Sequence, residues 1–142
     1  MTEIIKKDTD HAMRMLAYMA QNNNNSFVAA KKLAAAQGVP EDFAYKILRK
    51  LTRAGLTVGH MGIHGGVRLG KAPRDISLLD VILAVQGKLT IRKCCLAADA
   101  CPRQGMCDIS IVLGGLQDNL NVSLKKITLA DVLKEASNKR EE

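Results

Sequence analysis

The residues best suited to chemistry in this 142-residue chain are four cysteines, which all lie between positions 94 and 107. Cys95, Cys101 and Cys107 are evenly spaced, with five residues between each successive pair. The intervening segment is rich in small residues and contains a proline and a glycine, so it could curl and bring three thiolates together. Three convergent thiolates are typical of an iron–sulfur or a zinc site.

The spacing favours an iron–sulfur cluster over zinc. Zinc sites usually contain close C-x-x-C pairs, which are absent from this sequence, whereas cluster ligation tolerates wider spacing. The cysteines could instead be buried as small hydrophobic side chains or be paired as disulfides. Disulfides are unusual in the cytoplasm. We expect the protein there because the sequence has neither a signal peptide nor an apolar run that could span a bilayer.

The elements that must position these cysteines are mainly helices. Apolar spacing and turn residues predict helices at 8–21, 27–37, 40–54, 78–86, 108–126 and 129–135. Gly38 ends the second helix and Pro40 opens the third, which is the helix-turn-helix pattern. Two short β-branched segments, 56–60 and 67–69, flank a glycine-rich turn and predict a β-hairpin wing.

The third helix has the composition of a DNA reader. A helical wheel places charged and phenolic side chains on one stripe, opposite an apolar side of Phe43, Ile47, Leu51 and Ala54. Glu41, Asp42 and Tyr45 are candidates for base contacts near the start of the helix. The candidates for phosphate contacts are Lys46, Arg49, Lys50 and Arg53, and His60 and His64 could add hydrogen bonds from the wing. The alternative is a solvated basic face on an ordinary surface helix.

The charge distribution agrees with a nucleic-acid partner. The formal net charge is +7, and residues 1–75 hold 12 Lys/Arg against 6 Asp/Glu. Residues 76–142 hold 9 against 8, so the basic character belongs to the N-terminal half. A basic half favours a polyanionic partner such as double-stranded DNA, although it could also be a solubilising surface.

Four stretches of the sequence match a known family: Thr9–Arg14, Phe43–Leu56, Gly62–Leu69 and Ile76–Ile82. With the cysteine spacing, they make the chain resemble the bacterial IscR/NsrR family of winged-helix regulators over nearly all its length. The resemblance implies a homodimer with a long C-terminal helix that crosses to the partner. It also implies that the three cysteines and a fourth ligand hold an iron–sulfur cluster whose state controls operator affinity.

The resemblance defines three regions and a set of dimer contacts. Residues 1–87 would form the winged helix-turn-helix domain, 88–107 the cluster loop, and 108–142 the dimerisation helix with a short last helix. Apolar residues that recur at three- and four-residue steps fit the crossing helix, although a core helix of a monomer would look similar. These residues are Ile109, Val112, Leu113, Leu116, Leu120 and Leu124.

The fourth ligand departs from one branch of the family. IscR-like members use a histidine three residues after the last cysteine, where this chain has Ser110. In NsrR-like members an aspartate of the first helix, from the other subunit, completes a four-iron cluster, and Asp10 matches that position. Asp8 and Cys94 are alternatives, as is a two-iron cluster. Asp10 could also be an ordinary carboxylate at a helix N-terminus.

The sequence therefore predicts a mainly α, winged-helix repressor and not an enzyme. It would bind a pseudo-palindromic operator as a dimer and respond to nitric oxide, redox state or iron–sulfur status. Met61 and Val67 stand where the family wing often has Arg and Tyr, which argues against strong minor-groove reading by the wing. The rival interpretations are a cluster-free regulator with a zinc or thiol switch and a small iron–sulfur redox protein.

Overall fold

The structure, a computed structural model, describes residues 1–22, 26–95, 102–103 and 106–142. Cys101 therefore lies outside the described residues. Within them the fold is mainly α-helical with one antiparallel hairpin, and the predicted winged helix-turn-helix with a long C-terminal helix is confirmed. In chain order the elements are α1 (Lys7–Gln21), α2 (Ala30–Gln37), α3 (Glu41–Arg53), β1 (Thr57–His60), β2 (Gly66–Leu69), α4 (Leu78–Val85), α5 (Asp108–Lys126) and α6 (Leu129–Glu141).

The turn between α2 and α3 forms as the glycine predicts. Gly38 adopts a left-handed conformation with φ of +62°, and the amide of Val39 donates to the Ala34 carbonyl at 2.9 Å. This closes α2 so that α3 can start directly after Pro40. The prediction for the apolar side of α3 was wrong at its two ends, because Phe43 and Ala54 are exposed. The side chains that α3 buries are Ala44, Ile47, Leu48 and Leu51.

The wing is a hairpin in which Thr57 pairs with Leu69 and His60 with Gly66. Val28 adds an isolated bridge to it, with backbone hydrogen bonds of 2.8 Å in both directions to Val67. A Cβ on Gly66 would overlap the Val28 carbonyl, so only glycine allows this close approach. The predicted second helix, 27–37, therefore started too early: Val28 pairs with the wing, and α2 begins at Ala30.

The core lies among α1, α2, α3, α4 and the wing, and it is aliphatic apart from a few polar groups. α6 joins it through Leu129, which is 1% exposed. Backbone bonds from Leu78 to the Ile127 carbonyl and from Leu129 to the Ile76 carbonyl, both 2.9 Å, tie the starts of α4 and α6 together. α6 continues to Glu141, so the prediction that it ends at 135 was wrong.

α5 follows the predicted bounds, and it packs against α4 and a 3₁₀ turn formed by Lys93–Cys95. In this helix, whose residues are all described, Gln117 alone is buried. Among the helices the structure describes, none is long and apolar enough to cross a membrane.

Candidate DNA-binding face and cysteine cavity

The exposed side of α3 carries the predicted reading residues. Glu41, Asp42 and Tyr45 are exposed on its first turns, and the acidic first turn and basic last turn suit the helix dipole. The ammonium of Lys46 lies over the Phe43 ring, 5.8 Å from its centroid. This contact gives Phe43 a surface role that the helical wheel could not show.

A groove of about 930 Å³ separates α3 from the wing. Tyr45, Arg49 and Arg53 line it from α3, and His60 lines it from the end of β1. The structure therefore brings these four predicted residues to one groove with cations on its helical wall. His64 is exposed at the tip of the hairpin, outside this lining.

An aromatic and cationic stack, which the sequence analysis missed, packs Phe27 against both strands of the wing. The rings of Phe27 and His60 lie 5.3 Å apart between centroids, and the Arg68 guanidinium lies 4.9 Å from the Phe27 centroid. Arg68 alternates with buried Val67 and Leu69 along β2. That alternation would have placed Arg68 on the outer face, beside His60.

A second groove, of about 340 Å³, lies on the other flank of α3. Asp8 lines it opposite Lys46 and Lys50, and Arg49 and Arg53 also contribute. Asp8, one of the alternative fourth ligands, is thus placed beside the cations of α3. Lys50 has a second neighbour, because its ammonium donates to the carbonyl of Val85 at 3.2 Å.

Two cysteine side chains line a cavity of about 190 Å³ between the two ends of the cysteine segment, residues 94–107. Cys94 and Cys107, both free thiols, line it together with Arg92 and Arg103. Ser110, at the position of the IscR-type histidine, lines it too and donates to the Cys107 carbonyl at 2.7 Å. Two guanidiniums beside thiols form an electropositive site suited to an anionic group.

The predicted ligand set is not assembled within the described part of one chain. There, no three His, Cys, Asp or Glu side chains lie close enough together to hold a metal ion. Cys95 belongs to the 3₁₀ turn at the edge of the described residues. Asp10 pairs with Arg14, whose Nε donates to its Oδ2 at 3.0 Å, and both side chains are about half exposed.

The predicted dimerisation residues divide into two groups along α5. Ile109, Val112 and Leu116 are exposed, by 62%, 64% and 51%. Leu113, Leu120 and Leu124 are half-buried on the adjacent side of the helix. Ile111 and Val122, which the sequence analysis left out, are also exposed.

Comparison with known proteins gives a family match over nearly the whole chain. The family described as "Rrf2: Iron-dependent Transcriptional regulator" matches residues 5–135. Protein aau3 of Rhizobium meliloti (strain 1021) is 34% identical over 131 residues, which cover 92% of this chain and 84% of that protein.

Two solved structures share the architecture. T. potens IscR has a TM-score of 0.73 at 26% identity, covering 93% of this chain and 87% of that one. CymR (YrzC), the global cysteine regulator of B. subtilis, has a TM-score of 0.74 at 20% identity, covering 95% of this chain and 98% of that one. At this lower identity the likeness to CymR shows a common fold.

Proposed function

This chain belongs to the Rrf2 family of transcriptional regulators, and we propose that its affinity for DNA depends on an iron–sulfur cluster held by Cys95, Cys101 and Cys107. Regulators of this family bind DNA and are typically dimeric. Family membership sets aside the rival interpretation of a small redox protein, because these proteins regulate transcription and are not enzymes. The finer proposal concerns the signal, the ligands and the operator.

The DNA-binding face would be the groove between α3 and the wing, with its flanks. The first turns of α3, with Glu41, Asp42 and Tyr45, would face base edges, because such residues enter the major groove first. Arg49 and Arg53 line both grooves beside α3, so they are placed to contact phosphates on either side. The stack of His60 and Arg68 on Phe27 would hold the wing against the adjacent backbone.

A second copy of this chain would cover the exposed apolar face of α5. Ile109, Val112 and Leu116 are each more than half exposed along one side of the helix, and a partner helix would bury this apolar area. Two reading heads related by a two-fold axis would then face half-sites of a pseudo-palindrome.

The observation that carries the cluster proposal is the cavity where the two ends of the cysteine segment meet. Cys107 lines it together with Cys94, the residue before Cys95, so the two ends of the predicted ligand set are already close. Thiolates are the preferred ligands of iron–sulfur clusters, and Arg92 and Arg103 would offset the negative charge of a thiolate-bound cluster. The donor set therefore fits such a group, and the family description, iron-dependent, supports it.

Asp10 is the proposed fourth ligand, supplied by the partner subunit. Within one chain it is absent from the cavity lining that the structure describes, and Arg14 holds its carboxylate at the surface of α1. A half-exposed carboxylate is free to approach a second protomer. When bound, a cluster supplies iron that reacts with nitric oxide or oxygen. Loss of the contact between the cluster and Asp10, its fourth ligand, would release the start of α1 from the partner's cysteine segment.

The experiment that tests the proposal is native mass spectrometry and visible spectroscopy of anaerobically purified protein. Wild type should be a coloured dimer with about one cluster per chain. Cys94→Ser is the matched control for Cys95→Ser: the first should keep the cluster and the second should lose it. An unchanged cluster in Asp10→Ala would remove Asp10 as a ligand. A colourless wild type with stoichiometric zinc would overturn the cluster proposal.

A zinc or thiol switch is the second candidate, and one observation favours it. Cys94 and Cys107 are free thiols on one cavity, so they could act without the other two cysteines. The fold also serves a protein described as the global cysteine regulator of B. subtilis, so the architecture alone does not specify iron. Loss of the DNA response in Cys94→Ser, with a colourless protein, would support this candidate.

A further inference from the structure

The C-terminal end of α4 is a junction between the recognition helix and the chain that leads to the cysteines. Val85 ends the helix, and Gly87 follows in a left-handed conformation with φ of +84°. The last carbonyls of a helix lack partners within it and carry a partial negative charge. Lys50 of α3 supplies a cation there, through its hydrogen bond of 3.2 Å to the Val85 carbonyl.

Gln86 ties the N-terminal segment to the same junction. Its Oε1 accepts from the amide of Lys6 at 3.0 Å and from the hydroxyl of Thr9 at 2.7 Å. Its Nε2 donates to the Ile4 carbonyl at 3.0 Å. The start of α1, which carries Asp8 and Asp10, is therefore fixed to the end of α4.

Gln117 fixes the chain that leaves the junction. This side chain is 5% exposed, and its Oε1 accepts from the amide of Ile91 at 2.7 Å. Its Nε2 donates to the Leu89 carbonyl at 3.0 Å and to Asn121 at 3.1 Å. A buried amide with these partners holds the 88–92 segment on α5, directly before the cysteines.

From these contacts we infer that Lys50 is a positioning residue of the recognition helix and does not act as a phosphate contact. Its bond to the end of α4 couples the orientation of α3 to the cysteine segment, through the Gln86 and Gln117 contacts. The inference rests on the proposed function, since it names the route by which the state of the cysteines reaches the DNA-binding face. It also separates Lys50 from the other cations of α3.

Lys46 is the matched comparison within the same helix. It lies one turn before Lys50 and both residues are exposed, but its ammonium lies over the Phe43 ring rather than on a carbonyl. Met keeps most of the apolar stem of lysine and removes the charge. Lys46→Met and Lys50→Met therefore change the same group at two positions that differ in their intramolecular contacts.

The test measures affinity for a promoter fragment over a range of salt concentrations, with intact and with chelator-treated protein. A phosphate contact contributes about 0.9 to the slope of log affinity against log salt concentration. Lys46→Met should make this negative slope less steep by about this amount, and Lys50→Met should leave the slope at the wild-type value. In Lys50→Met the affinity ratio between intact and treated protein should fall by about tenfold or more, toward 1.

Two further variants guard against a trivial loss of folding. Lys50→Arg keeps a donor for the Val85 carbonyl and should restore the affinity ratio. Gln117→Leu breaks the other end of the route on α5, and it should lower the ratio without changing the salt slope. All variants are compared at equal helical content by circular dichroism.

The inference would be overturned if the salt slope of Lys50→Met were less steep than that of wild type by about one. It would also be overturned if the affinity ratio between intact and treated protein were unchanged. If wild type itself shows no difference between intact and treated protein, the iron–sulfur proposal has failed. The salt slopes then decide by themselves whether Lys50 contacts phosphate or positions the helix.

Discussion

The recognition helix α3 and the long helix α5 have similar apolar spacing, but α3 buries its apolar side whereas α5 leaves much of its own exposed. In α3 the apolar residues Ile47, Leu48 and Leu51 are at most 4% exposed, because α1, α2 and α4 face them. In α5 the apolar residues Ile109, Val112 and Leu116 are each more than half exposed. The head of the molecule, α1 to α4 with the wing, supplies its own core, whereas α5 keeps an exposed apolar face in a single chain.

The contrast bears on how a signal could change the molecule. An element with few buried apolar contacts opens at low free-energy cost, whereas a packed core opens only with global unfolding. α5 is therefore where a second chain can have a large effect. The head would respond as a rigid body.

The largest effect should come from opening the core of the head. Leu51→Ala should lower the free energy of unfolding by about 2–5 kcal/mol, because it leaves a cavity under α3. The loss should be the same at every protein concentration in urea titrations. Leu116→Ala should show a loss that shrinks on dilution, since its contact would belong to a dimer. Concentration-independent losses of similar size would remove the distinction between the helices.

A charge on the exposed face of α5 should have the next largest effect. Leu116→Glu would bury an unpaired carboxylate between two protomers, which should weaken the dimer by about 3 kcal/mol, or roughly 100-fold. Analytical ultracentrifugation measures this constant, and Asn138→Glu, on an exposed position of α6, is the control. A Leu116→Glu dimer as tight as wild type would place the interface elsewhere.

The head could be predicted from the sequence because its signals are local. Gly38 and Pro40 mark the turn, and the hairpin glycines mark the wing. Where the prediction failed, a distant residue decided: Val28 gives its backbone groups to Val67, so the second helix starts later. Phe43 is exposed because the neighbours of α3 do not reach that side, which a helical wheel cannot register.

The site was predictable in its residue types but not in its contacts. Cysteine spacing predicted a thiolate site, which stays a prediction, and the structure places Arg92 and Arg103 beside Cys94 and Cys107. The Gln86 and Gln117 contacts had no sequence signal, because each joins the chain to segments from 26 to 82 residues away. Apolar periodicity in α5 could not tell a core face from an interface, since both bury the same residue types.

The smallest effect concerns α6, whose start packs against the head although its last turn is exposed. Asp131 accepts hydrogen bonds from the backbone amide and the hydroxyl of Thr128, and these lower the pKa of its carboxyl below the usual 3.8. A lowered pKa stabilises the fold above pH 3.8, and this contribution disappears as the pH falls through the folded-state value.

Asp131→Asn should therefore lower the urea midpoint at pH 6, and the difference from wild type should narrow as the pH falls below 3.8. Cluster-free protein is used, so that acid does not act through the cysteines. Glu141→Gln, at the far end of the same helix, removes one charge without touching the cap. If both variants follow the same pH dependence, net charge explains the effect. If the difference narrows only for Asp131→Asn, the hydrogen bonds between Asp131 and Thr128 that cap α6 are its source.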